Sequence, residues 1–203
     1  RPWADGLDGN SHMFANMASH SIEVTEAEHP ISLLAYEFVA DRAGAGKFRG
    51  GVPFRRDYRF DEAEGTLQVR ADRRDHRPFG LYGGSPGAPS GNWLDPDGEN
   101  RELPGKFTMT VRRGDVLRHV LAGAGGWGDP LERDVAAVLK DVRNELLSPA
   151  KALEDYGVVV DTLSWSVDAA ATDMARAELR RRRGWSRAPV VQRHDPLAAR
   201  AAE

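Results

Sequence analysis

The 203 residues carry 28 Lys and Arg against 31 Asp and Glu, and the resulting formal net charge of −3 argues against nucleic acid as a default partner. No cysteine is present, which excludes disulfides and thiolate metal sites, and no apolar run approaches a membrane span or a signal peptide. A hydrophobic content of 40% is that of an ordinary soluble chain with a core of useful size.

Seventeen of the twenty-one glycines fall between Gly44 and Gly128, so composition divides the chain. Three stretches are expected: a β-rich, glycine-looped domain over 1–130, a helical segment over 131–184 and a loosely ordered tail over 185–203. The fold class is α+β, an antiparallel β-rich half followed by C-terminal helices. The chain opens Arg1-Pro2 without Met, and an upstream portion is expected. Positions 1–30 are irregular, with turn dipeptides at Asp5-Gly6 and Asp8-Gly9. His12 and His20 follow in a stretch of small polar residues.

Ile31–Ala40 reads as the first strand. After it comes Ala43-Gly44-Ala45-Gly46-Lys47-Phe48-Arg49-Gly50-Gly51. Four glycines within eight residues permit positive φ and close backbone approach, and Lys47 and Arg49 set two cations among backbone N–H groups, the chemistry of an anion cradle. A P-loop would need Ser or Thr after Lys47, where Phe48 stands, and a dinucleotide fingerprint would need different spacing and a following helix. The ordinary alternative is a connection between strands whose cations reach solvent.

Val52–Phe60 alternates, with Val52, Phe54, Tyr58 and Phe60 on one face and Arg55, Asp57 and Arg59 on the other. Thr66–Asp72 alternates again after an acidic turn, and the two runs predict a hairpin. The arginines in this region, interrupted by aspartates and without interleaved exposed aromatics, read as solvated cross-strand charge pairs. A long loop follows at Phe79–Asn92, with five glycines and two prolines. Lys106–Val111 and Val116–Leu121 are strands about a turn at Arg112–Asp115, and Ala122–Gly128 closes the glycine-rich half.

Asp129-Pro130 has the form of an N-cap followed by Pro at the first helical position. An amphipathic helix then starts at Asp134, a second runs from Ser148-Pro149 to Gly157, and a third starts at Ser166 or Asp168 and ends at Gly184. Spacing offers no metal site: His12 and His20 lie eight apart and the other histidines are scattered. Ser85 and Ser90 sit in Gly/Pro loops and match no nucleophile elbow. The residues alone give no reaction.

Several segments, AGAGKFRGG (Ala43–Gly51), GLYGGSPGA (Gly80–Ala88), GENRELPGKFTMTVRRGD (Gly98–Asp115), GAGGWGDPLERD (Gly123–Asp134) and YGVVVD (Tyr156–Asp161), together resemble the C-terminal part of the hydantoinase B/5-oxoprolinase family. The resemblance implies the C-terminal portion of a B subunit acting with an A-type subunit that carries the ATP site. Such complexes open hydantoins, 5-oxoproline or other lactams, and related ones carboxylate ketones. The implied chemistry is phosphorylation of the substrate's carbonyl oxygen, followed by attack of water or carbonate. ATP and a divalent metal are implied for the whole complex, in the cytoplasm, and neither for this chain alone. No catalytic residue is assigned. His12, Asn16, Lys47, Arg49 and Gly84 are expected to wall the substrate pocket, polarising the carbonyl and binding anionic groups. The glycine loops Phe79–Ala88 and Ala122–Gly128 are expected to receive another backbone, from the missing part or a partner. A non-catalytic assembly module is the competing expectation.

Overall fold

The computed structural model describes residues 2–10 and 19–194. In chain order these form α1 (Ile22–Glu28), β1 (Ile31–Phe38), β2 (Phe54–Phe60), β3 (Glu64–Arg70), β4 (Gly80–Leu81), β5 (Gly91–Leu94), β6 (Arg101–Leu103), β7 (Lys106–Arg112) and β8 (Val116–Val120). A 3₁₀ turn at Pro130–Glu132 leads to α2 (Val135–Arg143), α3 (Pro149–Tyr156), β9 (Val160–Asp161), β10 (Ser166–Val167), α4 (Ala169–Arg183) and β11 (Val191–Gln192). The architecture is α+β.

A five-stranded antiparallel sheet, in the order β1-β2-β8-β5-β6, is faced by the two-stranded ribbon β3-β7. Leu94, Leu103 and Leu117 of the sheet bury against Leu67, Val69, Phe107 and Met109 of the ribbon, with Tyr58 and Phe60 between them. This is sandwich packing of two inner faces.

The expected hairpin of Val52–Phe60 with Thr66–Asp72 does not form. β2 has both edges taken, by β1 and β8, and β3 pairs with β7 instead. The apolar faces of β2 and β3 meet across the core rather than lying side by side, a pairing that period-two alternation cannot distinguish from a hairpin. Asp61–Ala63 and Arg113–Asp115 are therefore corners between layers, tied where the Phe60 N–H donates to the Asp115 carbonyl (3.0 Å) and the Gly114 N–H to the Phe60 carbonyl (2.8 Å). Phe54, Tyr58 and Leu67 are half-buried, Arg59 is exposed, and Arg55 is half-buried beside Glu37 (2.9 Å).

The helical signals act as read. Asp129 accepts from Leu131 N–H at the 3₁₀ turn, and Asp134, Ser148 and Asp168 cap α2, α3 and α4 with their side chains. Gly157 ends α3 at φ 63°, a left-handed residue that glycine adopts without steric cost. The apolar stripe of α2 and α3, with Val138, Val142, Ala152 and Tyr156, forms a second core with Val158 and with Ala45 from the glycine loop. In the segment expected to be loose, Val191–Gln192 pairs antiparallel with β4. No helix of the described residues is long and apolar enough to cross a membrane.

Candidate functional site: a polar row on one face of the sheet

Two features of the glycine-rich half position the rest, a backbone layer and a buried charge node. In the layer, the loops 42–51, 78–88 and 121–128 bond to one another through main-chain groups. The Gly44 N–H donates to the Ala124 carbonyl (2.8 Å), Ser85 N–H to Ala45 (2.7 Å), Gly126 N–H to Ser85 (2.9 Å) and Ala88 N–H to Arg42 (2.9 Å). A β-carbon at Gly84 would fall on the Gly126 carbonyl, and one at Gly126 on that of Ala45. The backbone expected to approach these loops is the chain's own. Trp127 lies between Phe48 and Tyr82, with ring centroids 6.0 and 5.6 Å away, along one border of this layer.

At the node, Arg49 is 8% exposed and all three guanidinium nitrogens donate within the chain, to Asp8 (2.6 and 3.0 Å), Asp141 (3.1 Å) and the Gly50 carbonyl (2.9 Å). Arg133, 2% exposed, holds Asp5 (2.6 and 2.8 Å) and the other oxygen of Asp141 (2.7 Å). Burial works to raise the Asp5 and Asp8 carboxyls, and the arginines outweigh it, leaving both below the ordinary carboxylate value. Asp5 and Asp8 are thereby tied to α2, and Arg49 has a structural anchorage. Lys47 reaches exposed Glu132 (3.3 Å). Lys47, Arg49 and Gly84 thus share one layer but do not converge on a common space. His12 and Asn16 lie outside the described residues.

The space is elsewhere. A cavity of about 1110 Å³ opens between the five-stranded sheet and the end of β3, closed at one side by α1. Strand register sets a row across the sheet, of which Tyr36, Arg56 and His119 line the cavity: Tyr36 stands opposite Arg56, Arg56 opposite His119, and His119 opposite Asn92. A β-bulge between Leu33 and Ala35 creates the first of these pairs. Before it Ile31 pairs Phe60 and Leu33 pairs Tyr58; continuing that register would set Ala35 against Arg56, and the extra residue sets Tyr36 there instead.

Within the row, Arg56 donates from Nη2 to Tyr36 Oη (3.0 Å) and Ser19 Oγ (2.6 Å), and from Nη1 to Tyr58 Oη (3.3 Å). Its guanidinium carbon sits 4.6 Å from the Tyr36 ring centroid and 4.5 Å from that of Phe54. The neighbouring arginines Arg55, Arg59 and Arg74 pair with Glu37, Asp61 and Glu102, of which Arg55–Glu37 is the cross-strand pair, while Arg56 makes no ion pair among the described residues. The hydrogen bond from Arg56 holds the Tyr36 phenol below its ordinary value.

His119 lies 2.6 Å through Nδ1 from Asn92 Oδ1. Asn92 is 1% exposed and donates from Nδ2 to the Pro104 carbonyl (3.0 Å), so its oxygen is the acceptor facing the ring. Nδ1 of His119 therefore carries the proton, and Nε2, for which no partner is recorded among the described residues, is an acceptor. Burial, with Arg56 opposite, pushes the imidazole below its ordinary 6.5. The unfolded chain takes up this proton at a higher pH than the fold does, so stability is expected to fall as pH drops below about 6.5. Melting temperatures of the wild type and His119→Gln across that range check this, with a shallower decline expected in the variant.

None of Tyr36, Arg56, Tyr58, His119 or Asn92 stands out from the sequence by motif. The one available signal is that Arg56 occupies the Phe54/Tyr58/Phe60 face of an alternating strand, where a charge needs a reason. Among the described residues, no group of three His, Asp or Glu is placed to hold a metal ion, so the divalent metal implied for the complex does not fit these residues and no step is derived through it.

Comparison with known proteins places this geometry. Residues 1–130 match the family described as hydantoinase B/oxoprolinase. The chain belongs to this family. It is 39% identical over 139 residues to an uncharacterized protein of Methanocaldococcus jannaschii, covering 68% of the chain and 24% of that relative. To the caprolactamase subunit beta of Pseudomonas jessenii it is 33% identical over 174 residues, covering 81% of the chain and 29% of the relative. The crystal structure of the ATP-dependent caprolactamase from Pseudomonas jessenii superposes with a TM-score of 0.66 at 30% identity, over 85% of this chain and 32% of that one. Nucleotide-free acetone carboxylase shares the fold at a TM-score of 0.66 and 21% identity, over 92% of this chain and 30% of that one. The chain thus spans about a quarter to a third of the length of these relatives.

Proposed function

We propose that this chain is the C-terminal portion of the B subunit of an ATP-dependent cyclic-amide hydrolase, and that its sheet face walls the substrate pocket. The observation carrying the reading is that every residue lining the large cavity falls within 1–130, the portion matched by the family. The caprolactamase likeness favours hydrolysis of a lactam over carboxylation of a ketone. Ile31, Leu33, Phe54 and Leu121 give the cavity an apolar side suited to ring methylenes, and the polar row provides the other side. His119 presents a neutral nitrogen beside a cation, the state required of a base that receives a proton from water. His12 and Asn16, which lie outside the described residues, are proposed as further substrate contacts.

In this reading, ATP and a divalent metal are held outside this chain, by an A-type subunit and by the upstream part of the B subunit. The complex works in the cytoplasm, where ATP is at hand. The test is to purify the protein bearing this chain with its A-type subunit, measure the native mass, and assay ring opening of caprolactam, 5-oxoproline and hydantoin with and without ATP. Ring opening that needs both ATP and the partner is expected, with none from the isolated chain. Hydrolysis by the chain alone, or ketone carboxylation without lactam opening, would overturn the proposal.

A further inference from the structure

We infer that Arg56, Tyr36 and Tyr58 form a subsite for an anionic oxygen group, a carboxylate or a phosphoryl group, on the ligand of the large cavity. The inference deepens the reading above and rests on it only for the identity of the ligand. The first ground is charge. Arg56 has only neutral partners among the described residues, two phenols, one serine hydroxyl and two aromatic faces, so its positive charge is uncompensated inside a half-enclosed space. Arg70 and Arg73 line the same cavity, while of its two lining carboxylates Glu26 accepts the Leu33 N–H (2.7 Å) and Asp72 pairs with Lys106 (3.0 Å). The cavity is thus short of negative charge.

The second ground is hydrogen-bond direction. Tyr36 and Tyr58 each accept from Arg56, and a phenol that accepts from a cation keeps its own O–H free to donate. Two hydroxyl donors and the guanidinium Nε–H, for which no acceptor is recorded among the described residues, therefore belong to three residues that line the same cavity. Fixed donors about a cation are the arrangement that binds anionic oxygens in a partly desolvated site. The third ground is preorganisation. Contacts with the Tyr36 and Phe54 rings and hydrogen bonds to both phenols restrain the guanidinium, and the bulge in β1 brings Tyr36 to it, so less side-chain freedom remains to be lost on binding.

The experiment titrates the 203-residue chain with inorganic phosphate and, separately, with acetate at constant ionic strength, following the side-chain NMR signals of Arg56 and the tyrosines. Saturable binding of at least one probe is expected, roughly tenfold to a hundredfold weaker in Arg56→Gln. It should also be weaker in Tyr36→Phe, a change at a 44% exposed residue that removes only an oxygen, and unchanged in Arg59→Gln on the opposite face. Phosphate preference would assign the subsite to a phosphoryl group, and acetate preference to a carboxylate. Absence of saturation with both probes, or affinities unaffected by Arg56→Gln and Tyr36→Phe in chains that melt like the wild type, would overturn the inference. Because no ATP, partner or turnover is involved, the subsite can fail while the hydrolase assay succeeds, and the reverse.

Discussion

Replacing Asp141 by leucine is expected to destabilise the fold by about 3–5 kcal/mol, the usual consequence of removing one partner from a buried ion pair. Asp141 is the most buried of the three carboxylates in the node, with a side chain 7% exposed, and it bridges both arginines. Its loss leaves Arg49 Nε without an acceptor and removes one of the two acceptors of Arg133 Nη2, in a region closed to water. The arginines would keep Asp8 and Asp5, which limits the damage to the region where the N-terminal loop, the glycine layer and α2 meet. Lys47→Ala or Glu132→Ala, at an exposed pair, should change stability by no more than about 1 kcal/mol. Urea unfolding checks both, and a loss at Asp141 no larger than that at Lys47 would show that the node is not a stabilising joint. The node also sets an acid limit. Asp5 and Asp8 are held below their ordinary value of 3.8, so their contribution is present above that pH and is lost as pH falls through the depressed values.

Gly126→Val is expected to unfold the chain itself rather than to weaken an association. The β-carbon would occupy the position of the Ala45 carbonyl, with the Gly44 carbonyl 2.8 Å away, and both are main-chain atoms bound into neighbouring loops. Overpacking by side chains typically costs roughly 1–3 kcal/mol, and here no side chain is available to turn aside, so the cost should reach or exceed the top of that range. Gly114→Ala is the informative contrast. Nothing lies within 4 Å of a β-carbon there, although φ is 94°, and the penalty should be limited to local strain of about 1–2 kcal/mol. A Gly126→Val chain that melts like the wild type would return the glycine layer to an open surface awaiting another backbone.

Helix boundaries were legible in the sequence because their signals are local: a side chain at Asp134, Ser148 or Asp168 meets a backbone N–H within three residues, and Gly157 and Gly184 end their helices with their own φ. Strand identity was legible from alternation for the same reason. Pairing partners were not, since Tyr58 and Leu67 alternate identically whether they lie side by side or face each other across a core. The glycine loops were visible as glycine, but the Gly84 and Gly126 contacts join positions 42 apart in the chain, and spacing carries no information at that range. Arg49 carries the local composition of an anion cradle, but the carboxylates that claim it come from Asp8 and Asp141, far away in sequence. Conversely, Arg56 and His119 become neighbours only through the register of β2 and β8, and Tyr36 joins them only through a bulge that no residue pattern announces.

In the proposed function, the Tyr36–Arg56–His119 row forms part of the pocket in which a cyclic amide is opened. ATP-dependent turnover of the assembled complex, compared between wild type and the single variants Arg56→Gln and His119→Gln, tests it most directly. Mutation of an oxyanion donor or of a general base typically costs about a hundredfold or more in rate. A fall of that size in both variants is expected, with native mass and melting temperature preserved at pH 7.5, where His119 is neutral in both folded and unfolded chains. Full turnover by both variants in an intact complex would contradict the claim and place the chemistry away from this sheet.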